Sequence, residues 1–222
     1  MRGNLRIVPL LIAVLVSLAA TSQAQMQPAE SAKATYARIV AQIQAGQTDV
    51  DWKALRLASV QGGLSRDVDE HAAGAKMWAA LNSKNYEEAL KLANQLIAYN
   101  MANTEGHYGA MIAYGQTGRQ AQSEAEKAKL AAIAQSIRGS NSRASAESAW
   151  FTVSVGEEYF LLHILGMAPK QQALTYVNGR AYDVMTVTDR SDPGHQYTYW
   201  FDTQTAMDAL AKSMPGDKNE SP

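Results

Sequence analysis

The sequence predicts an α+β fold in which repeat-like helical hairpins precede an antiparallel β meander and a C-terminal helix. Three observations lead to this prediction. Apolar residues recur with a helical period over residues 31–138, and the period changes to two after the small polar run at 139–143. The predicted strands then follow one another through tight turns and do not alternate with helices. This order favours an α+β layout over a doubly wound parallel sheet.

The first 24 residues have the pattern of a secretory signal peptide. Arg2 and Arg6 form a positive start, residues 7–20 are almost wholly apolar, and Ser22 and Ala24 are small residues at the −3 and −1 positions of a cleavage site. The apolar run of about 14 residues is shorter than the roughly 20 that a membrane span requires. We therefore expect cleavage near Ala24 and a periplasmic or secreted mature chain with no membrane span.

The composition excludes several kinds of chemistry. The chain has no cysteine, which excludes disulfides, cysteine nucleophiles, thiolate metal sites and lipid attachment to a cysteine. Its formal net charge of −1 becomes about −3 once the two signal-peptide arginines are removed. This balance gives no electrostatic reason to expect nucleic acid, whose phosphates require a basic face. The roughly 198 remaining residues are enough to bury a core without covalent crosslinks.

Six helices are predicted in the helical region, 31–138. The helix that begins at Tyr86 carries two apolar stripes, and a helix with two apolar faces must lie between two neighbours. Adjacent glycines at 62 and 63 end the second helix. The predicted bounds are about 31–45, 52–61, 67–81, 86–99, 104–115 and 119–137.

Part of this region resembles a tetratricopeptide unit. Trp78 lies in one helix, and the next begins with Tyr86-Glu87-Glu88-Ala89-Leu90, the Tyr-x-x-Ala-Leu pattern of such repeats. A second helix pair follows after about 34 residues. The two copies correspond poorly, because Tyr86 aligns with Gln120 and Ala89 with Ser123. The resemblance therefore implies repeat-like helical hairpins and no more.

Residues 147–214 are predicted to form an antiparallel sheet and a terminal helix, packed as one domain with the helical region. The strongest local signal is Asn178-Gly179 between two alternating runs, since this dipeptide favours the type I′ turn of a hairpin. Residues 197–201 are predicted to form a further strand and 203–214 a helix. The tail at 215–222 is expected to be flexible.

The segment Tyr159–Leu165 is a short apolar run that suits either a strand or a helix. The alternating residues at 150–155 precede it and the predicted hairpin follows it. These β surroundings favour a strand for Tyr159–Leu165.

The candidate catalytic residues are Glu157, Glu158 and His163. Two carboxylates divide acid and base work when their surroundings separate their pKa values. On a strand, however, adjacent glutamates point to opposite faces, whereas Glu157 and His163 share one. In the alternative interpretation, these carboxylates accept backbone N–H groups at a turn or sheet edge.

No motif indicates a cofactor or a metal. His71, His107, His163 and His195 lie far apart in the sequence, and none has the spacing of a metal site on a helix. The aromatic run at 197–201 suits either a ligand groove or a strand whose alternate rings fill the core, and we favour the core. We therefore expect no cofactor and no metal.

Six short motifs follow one another along the chain: Asp51–Arg56, Tyr86–Leu90, Gln135–Ile137, Val155–Tyr159, Tyr182–Val184 and Trp200–Asp202. In the order of these motifs the sequence resembles an uncharacterised exported bacterial family, the domain of unknown function 4919, over about residues 36–214. It departs from the family at Ser59–Gly63 and Arg138–Asn141. The resemblance implies an exported α+β domain and supplies no activity.

Since no catalytic motif is present, the sequence favours a non-catalytic periplasmic binding or protein-interaction domain. Its partner is expected to be an unidentified envelope protein or a small ligand. Two alternatives remain. One is an envelope hydrolase that uses Glu157 and Glu158, with His163 as a further candidate. The other is a carrier of a small apolar ligand, built on the aromatic strand at 197–201.

Overall fold

A computed structural model describes residues 30–62, 64 and 70–213. The expected signal peptide, 1–24, and the expected flexible tail, 215–222, lie outside the described residues. Within the described residues the chain has an α+β fold, with most helices before the sheet and one after it. This confirms the predicted fold class.

The helical region contains six α-helices in the described ranges. Four of them begin at a polar residue whose side chain accepts a backbone N–H of the first turn, namely Ser31, Asp51, Asn85 and Asn103. The bounds are α1 Ala32–Gln44, α2 Trp52–Gln61, α3 Glu70–Asn82, α4 Tyr86–Tyr99, α5 Thr104–Gln116 and α6 Gln120–Arg138.

Helix α5 packs against α3, α4 and α6. Its two central glycines permit this close approach: a Cβ atom at Gly106 would lie 3.0 Å from the carbonyl oxygen of Ala93, and one at Gly109 would overlap the sulfur of Met77. The residues of α4 that face these neighbours, Ala89, Ala93 and Leu96 among them, are buried. The prediction that α4 lies between two neighbours is confirmed, because α4 packs against both α3 and α5.

The sheet has four strands in the order β1-β4-β3-β2. The predicted hairpin is present, and its turn residues Asn178 and Gly179 have φ values of 50° and 78°, the positive values that a type I′ turn requires. The strands are β1 Trp150–Phe151, β2 Met167–Val177, β3 Arg180–Asp189 and β4 Gln196–Asp202.

The sheet is mixed, so the prediction of a purely antiparallel meander is wrong at one edge. The short strand β1 runs parallel to β4, with Trp150 paired to Phe201. A parallel neighbour needs a crossover connection. Here the chain leaves β1 through a helix and the hairpin before β4 returns beside it.

Tyr159–Leu165 is not a strand, which corrects the preference stated above. Its residues up to Ile164 belong to helix α7, Val155–Ile164, and Leu165 follows the helix end. The amide of Glu157 in the first turn of α7 donates to the Ser154 hydroxyl. The apolar run has no strand alternation because consecutive residues Phe160, Leu161 and Leu162 are all buried. A helix that is apolar on most of its surface lies inside the protein.

One apolar core joins the helices to the sheet. It contains Trp52 of α2, Ile133 of α6, Leu161 of α7 and Tyr199 of β4. The last helix, α8 Gln204–Ser213, packs against α2 and β3. None of the described helices combines the length and apolar character needed to cross a bilayer.

Candidate functional site

A cleft of about 940 Å³ lies between the helical region and the sheet. Helices α3 and α5 line one side, and α7, α8 and the β2–β3 hairpin line the other. Most of the lining is aromatic or aliphatic, with a few acidic groups among the apolar side chains. Its larger apolar residues include Trp78, Tyr108, Tyr159, Phe160, Leu162 and Met207.

Helix α7 carries the three sequence-predicted residues, and it places them in three different surroundings. Glu157 and Glu158 are both buried, whereas His163 is exposed. Consecutive residues on a helix are turned by about 100° around its axis, since 3.6 residues make a turn. The two carboxylates therefore have separate partners and do not face each other.

Glu157 forms a bidentate ion pair with the fully buried Arg56 of α2. The Nε and Nη2 atoms of Arg56 donate to the two carboxylate oxygens over 2.7 and 2.6 Å. Arg56 also donates to the carbonyl oxygen of Phe151, over 2.8 Å, and the amide of Val153 donates to Glu157 over 2.9 Å. These bonds occupy the Glu157 carboxylate and join α2, β1 and α7.

Glu158 pairs with a second acid, Asp183 of β3. Burial, followed by the charge of Asp183 and a hydrogen bond with it, raises the pKa of Glu158 from 4.5 to about 9. The hydroxyls of Thr152 and Thr203 act in the opposite direction. The Glu158 carboxyl is therefore protonated at neutral pH, and its O–H group is able to donate a hydrogen bond to Asp183.

Asp183 connects this buried pair to the cleft. It lines the cleft, and its Oδ2 atom accepts from Nε2 of Gln172 over 2.8 Å. The Oε1 atom of Gln172 accepts in turn from the Tyr159 hydroxyl over 2.9 Å. A hydrogen-bonded chain thus joins Tyr159, an exposed residue of the cleft lining, to the fully buried Glu158.

His163, on the same helix, contacts Tyr108 of α5, which is not a hydrogen-bond partner of either glutamate. Its Nε2 atom and the Tyr108 hydroxyl are 2.9 Å apart, and the two rings meet edge to face. Tyr108 also packs against Trp78, whose indole N–H donates to Glu105. His163 therefore helps to hold α7 against α5 beside the cleft.

The other histidines are dispersed. His107 is buried and lies 2.5 Å from a carboxylate oxygen of Glu126, His71 lines the cleft, and His195 pairs with Asp192. In the described ranges no three His, Cys, Asp or Glu side chains come together in a way that could hold a metal ion.

The aromatic strand at 197–201 does not line the cleft. Tyr199 and Phe201 are buried in the core, where they pack edge to face against Trp150. The favoured interpretation of this strand as core is confirmed.

Comparison with protein families identifies the chain. The family model described as "Domain of unknown function (DUF4919)" matches residues 65–212. The chain belongs to this family. No curated protein and no solved structure matches the chain.

The DUF4919 match covers α3 to the greater part of α8, together with the whole sheet. It leaves out α1 and α2. Arg56, whose guanidinium holds Glu157 of the DUF4919 region, therefore lies outside the matched segment.

Sequence reasoning missed the two partners, Arg56 and Asp183, that define the surroundings of the glutamates. One local signal was available: Ser154 and Glu157 have the Ser-x-x-Glu spacing of a helix start. Read in that way, it would have predicted α7. No local pattern indicates the pairings with Arg56 and Asp183, because those residues are far away in the sequence.

Proposed function

We propose that this member of the DUF4919 family is a non-catalytic binding domain that takes a small ligand with an apolar body into the cleft. The observation that carries the proposal is the cleft itself. Its volume of about 940 Å³ falls within the range of ligand pockets, roughly 300–1,000 Å³. Such pockets have mainly apolar and aromatic walls with a few polar groups, as this cleft does.

The distribution of exposed apolar side chains supports the same proposal. Of the seven large apolar residues that are exposed in the described part of the chain, four line the cleft. Contiguous apolar surface of this kind is typical of binding sites in soluble proteins. The four residues are Val155, Tyr159, Leu174 and Leu210.

The surroundings of the acidic residues support binding over hydrolysis. Arg56 and the Val153 amide occupy the carboxylate of Glu157. Glu158 is fully buried, whereas a general acid must reach the proton acceptor within hydrogen-bond distance. His163 is engaged with Tyr108.

A fluorescent probe tests the proposal. N-phenyl-1-naphthylamine is a neutral apolar dye whose emission rises when it leaves water, and we expect it to bind the folded protein. Ala206 of α8 lines the cleft, so Ala206→Trp should fill it and weaken dye binding at least tenfold. Ala211→Trp is the matched control, because Ala211 is exposed on the same helix and does not line the cleft.

Equal dye binding by the wild type and both variants would contradict a site in this cleft. So would the absence of binding by a wild-type protein that melts cooperatively.

We also propose that the protein acts outside the cytosol after cleavage near Ala24. The support is the positive, apolar and small-residue order of residues 1–24. Expression of the full chain in a bacterium, followed by fractionation and intact-mass measurement, should find a periplasmic or secreted chain that begins at Gln25. An uncut chain in the cytosol would contradict export.

A further inference from the structure

We propose that the ligand of this cleft is an amphipathic amine, in which an apolar body carries one protonated amino group that is accepted by the Asp183 carboxylate. This inference rests on the proposed binding function and adds the chemical class of the ligand.

The Asp183 carboxylate lines the cleft and is 6% exposed. It accepts from Gln172 through Oδ2 and shares a hydrogen bond with the fully buried Glu158. Carboxyl oxygens hold up to four acceptor sites, and an ammonium group brings three donors and no acceptor.

The side chains that line the cleft carry more negative than positive charge. The carboxylates of the cleft lining are Glu70, Glu105, Glu157 and Asp183. Arg56, which does not line the cleft, forms an ion pair with Glu157 and neutralises its charge. Among the described residues of the lining, Arg190 is the guanidinium that opposes the other three. His71 and His163 add positive charge only when protonated. The cleft is therefore acidic at neutral pH, and it favours a cation over an anion.

Part of the negative charge of the cleft lining is shielded from water. Glu70 is half buried, and burial raises its pKa above the ordinary value, with the charge of Glu105 acting in the same direction. Carboxylates that are crowded and partly dehydrated gain from a cation placed among them, because the low local dielectric strengthens the attraction. The same surroundings disfavour an anionic ligand.

The cleft lining also contains aromatic rings. Trp78, Tyr108 and Tyr159 line the cleft, and Trp78 and Tyr108 have ring centroids 5.8 Å apart. Aromatic faces attract cations and also pack against apolar chains. A ligand with an apolar body and an ammonium group satisfies both the rings and the carboxylates.

Three matched probes test the inference by displacement of the bound dye. Octylammonium, octanol and octanoate share one apolar chain and differ in the charge of the head group. We expect octylammonium to displace the dye at a concentration at least tenfold lower than octanol, and octanoate to be the weakest. Asp183→Asn should reduce the preference for octylammonium over octanol to about twofold and leave octanol unchanged.

Two further variants keep the test decisive. Glu158→Gln retains the charge of Asp183, so the preference should persist. Asp192→Asn is the control, since Asp192 is an exposed acid outside the cleft. If Asp183→Asn does not fold, Glu105→Gln removes another carboxylate of the lining and should reduce the preference severalfold.

The outcomes separate the two proposals. If the dye binds in the cleft but octylammonium and octanol compete equally, the inference fails and the proposed function stands. Preference for octanoate, or a preference unchanged by both Asp183→Asn and Glu105→Gln, also overturns the inference. If the dye does not bind, or binds equally to Ala206→Trp, the proposed function itself fails.

Discussion

Arg56 and Glu157, 101 positions apart in the chain, form a buried bidentate ion pair with N–O distances of 2.7 and 2.6 Å. The side chain of Arg56 is fully buried and that of Glu157 is 6% exposed. Arg56 also donates to Ser136 of α6 and to the carbonyl of Phe151 in β1. The pair thus connects the helical region to the first strand and to the helix that lines the cleft.

Loss of Arg56 is predicted to be severely destabilising. Arg56→Leu leaves the Glu157 carboxylate buried without its counter-charge, and breaking such a pair costs about 3–5 kcal/mol. Urea unfolding followed by circular dichroism should show the loss. Arg38→Leu is the matched control, because Arg38 pairs with Glu30 at an exposed position, and exposed pairs contribute little. Comparable loss in both variants would contradict this prediction.

The folding of the protein is predicted to require α1 and α2, although the DUF4919 match begins after them. Ile39 and Trp52 belong to the common core, and Arg56 holds Glu157. A chain restricted to residues 65–212 should therefore lack a cooperative thermal transition, whereas residues 30–213 should retain one. A cooperative transition of the shorter chain at the same temperature would show that the two helices are dispensable.

Glu158 is predicted to make stability depend on pH. Its pKa rises from an ordinary value of 4.5 to about 9 on folding, so between these values the folded state holds a proton that the unfolded state has lost. The free energy of unfolding therefore falls with rising pH, by about 1.4 kcal/mol per unit from this group alone. The contribution is complete below pH 4.5 and is lost as the pH approaches 9.

Glu158→Gln measures this contribution, because an amide imitates the protonated acid at every pH. We expect the stability of the variant relative to the wild type to increase steadily from about pH 5 to 9 in urea titrations. Groups common to both proteins cancel in that difference. A difference that does not change with pH would show that Glu158 is ionised when folded.

Helix α5 is predicted to tolerate alanine at one glycine and not at another. Gly109→Ala places a methyl group against the buried Met77 side chain, and overpacking of this kind costs about 1–3 kcal/mol. Gly115→Ala, on the same helix, meets only the Ser123 side chain at 3.3 Å and should be neutral or slightly stabilising, because alanine favours the helix. Melting temperatures compare the two, and equal values would contradict the close packing of α3 and α5.

Features that depend on neighbours in sequence were predicted well. Asn178-Gly179 turns the hairpin because those two residues adopt positive φ, and Asp51 and Asn103 begin helices because their short side chains accept nearby amides. Helix α7 differs from the strand predicted for Tyr159–Leu165, because its apolar run lacks helical periodicity and lies between predicted strands. A local sign of a helix is Ser154, whose side chain accepts the amide of Glu157.

Local sequence was sufficient to predict the helical region, the change to strands near residue 140 and the hairpin turn, because each follows from periodicity or from backbone preferences of adjacent residues. Only packing brings Glu157 to Arg56 and Glu158 to Asp183, and only packing forms the cleft between the helices and the sheet. Those contacts join residues from separate elements, and whether a buried carboxyl is charged or protonated depends on the groups that packing brings within a few ångströms of it.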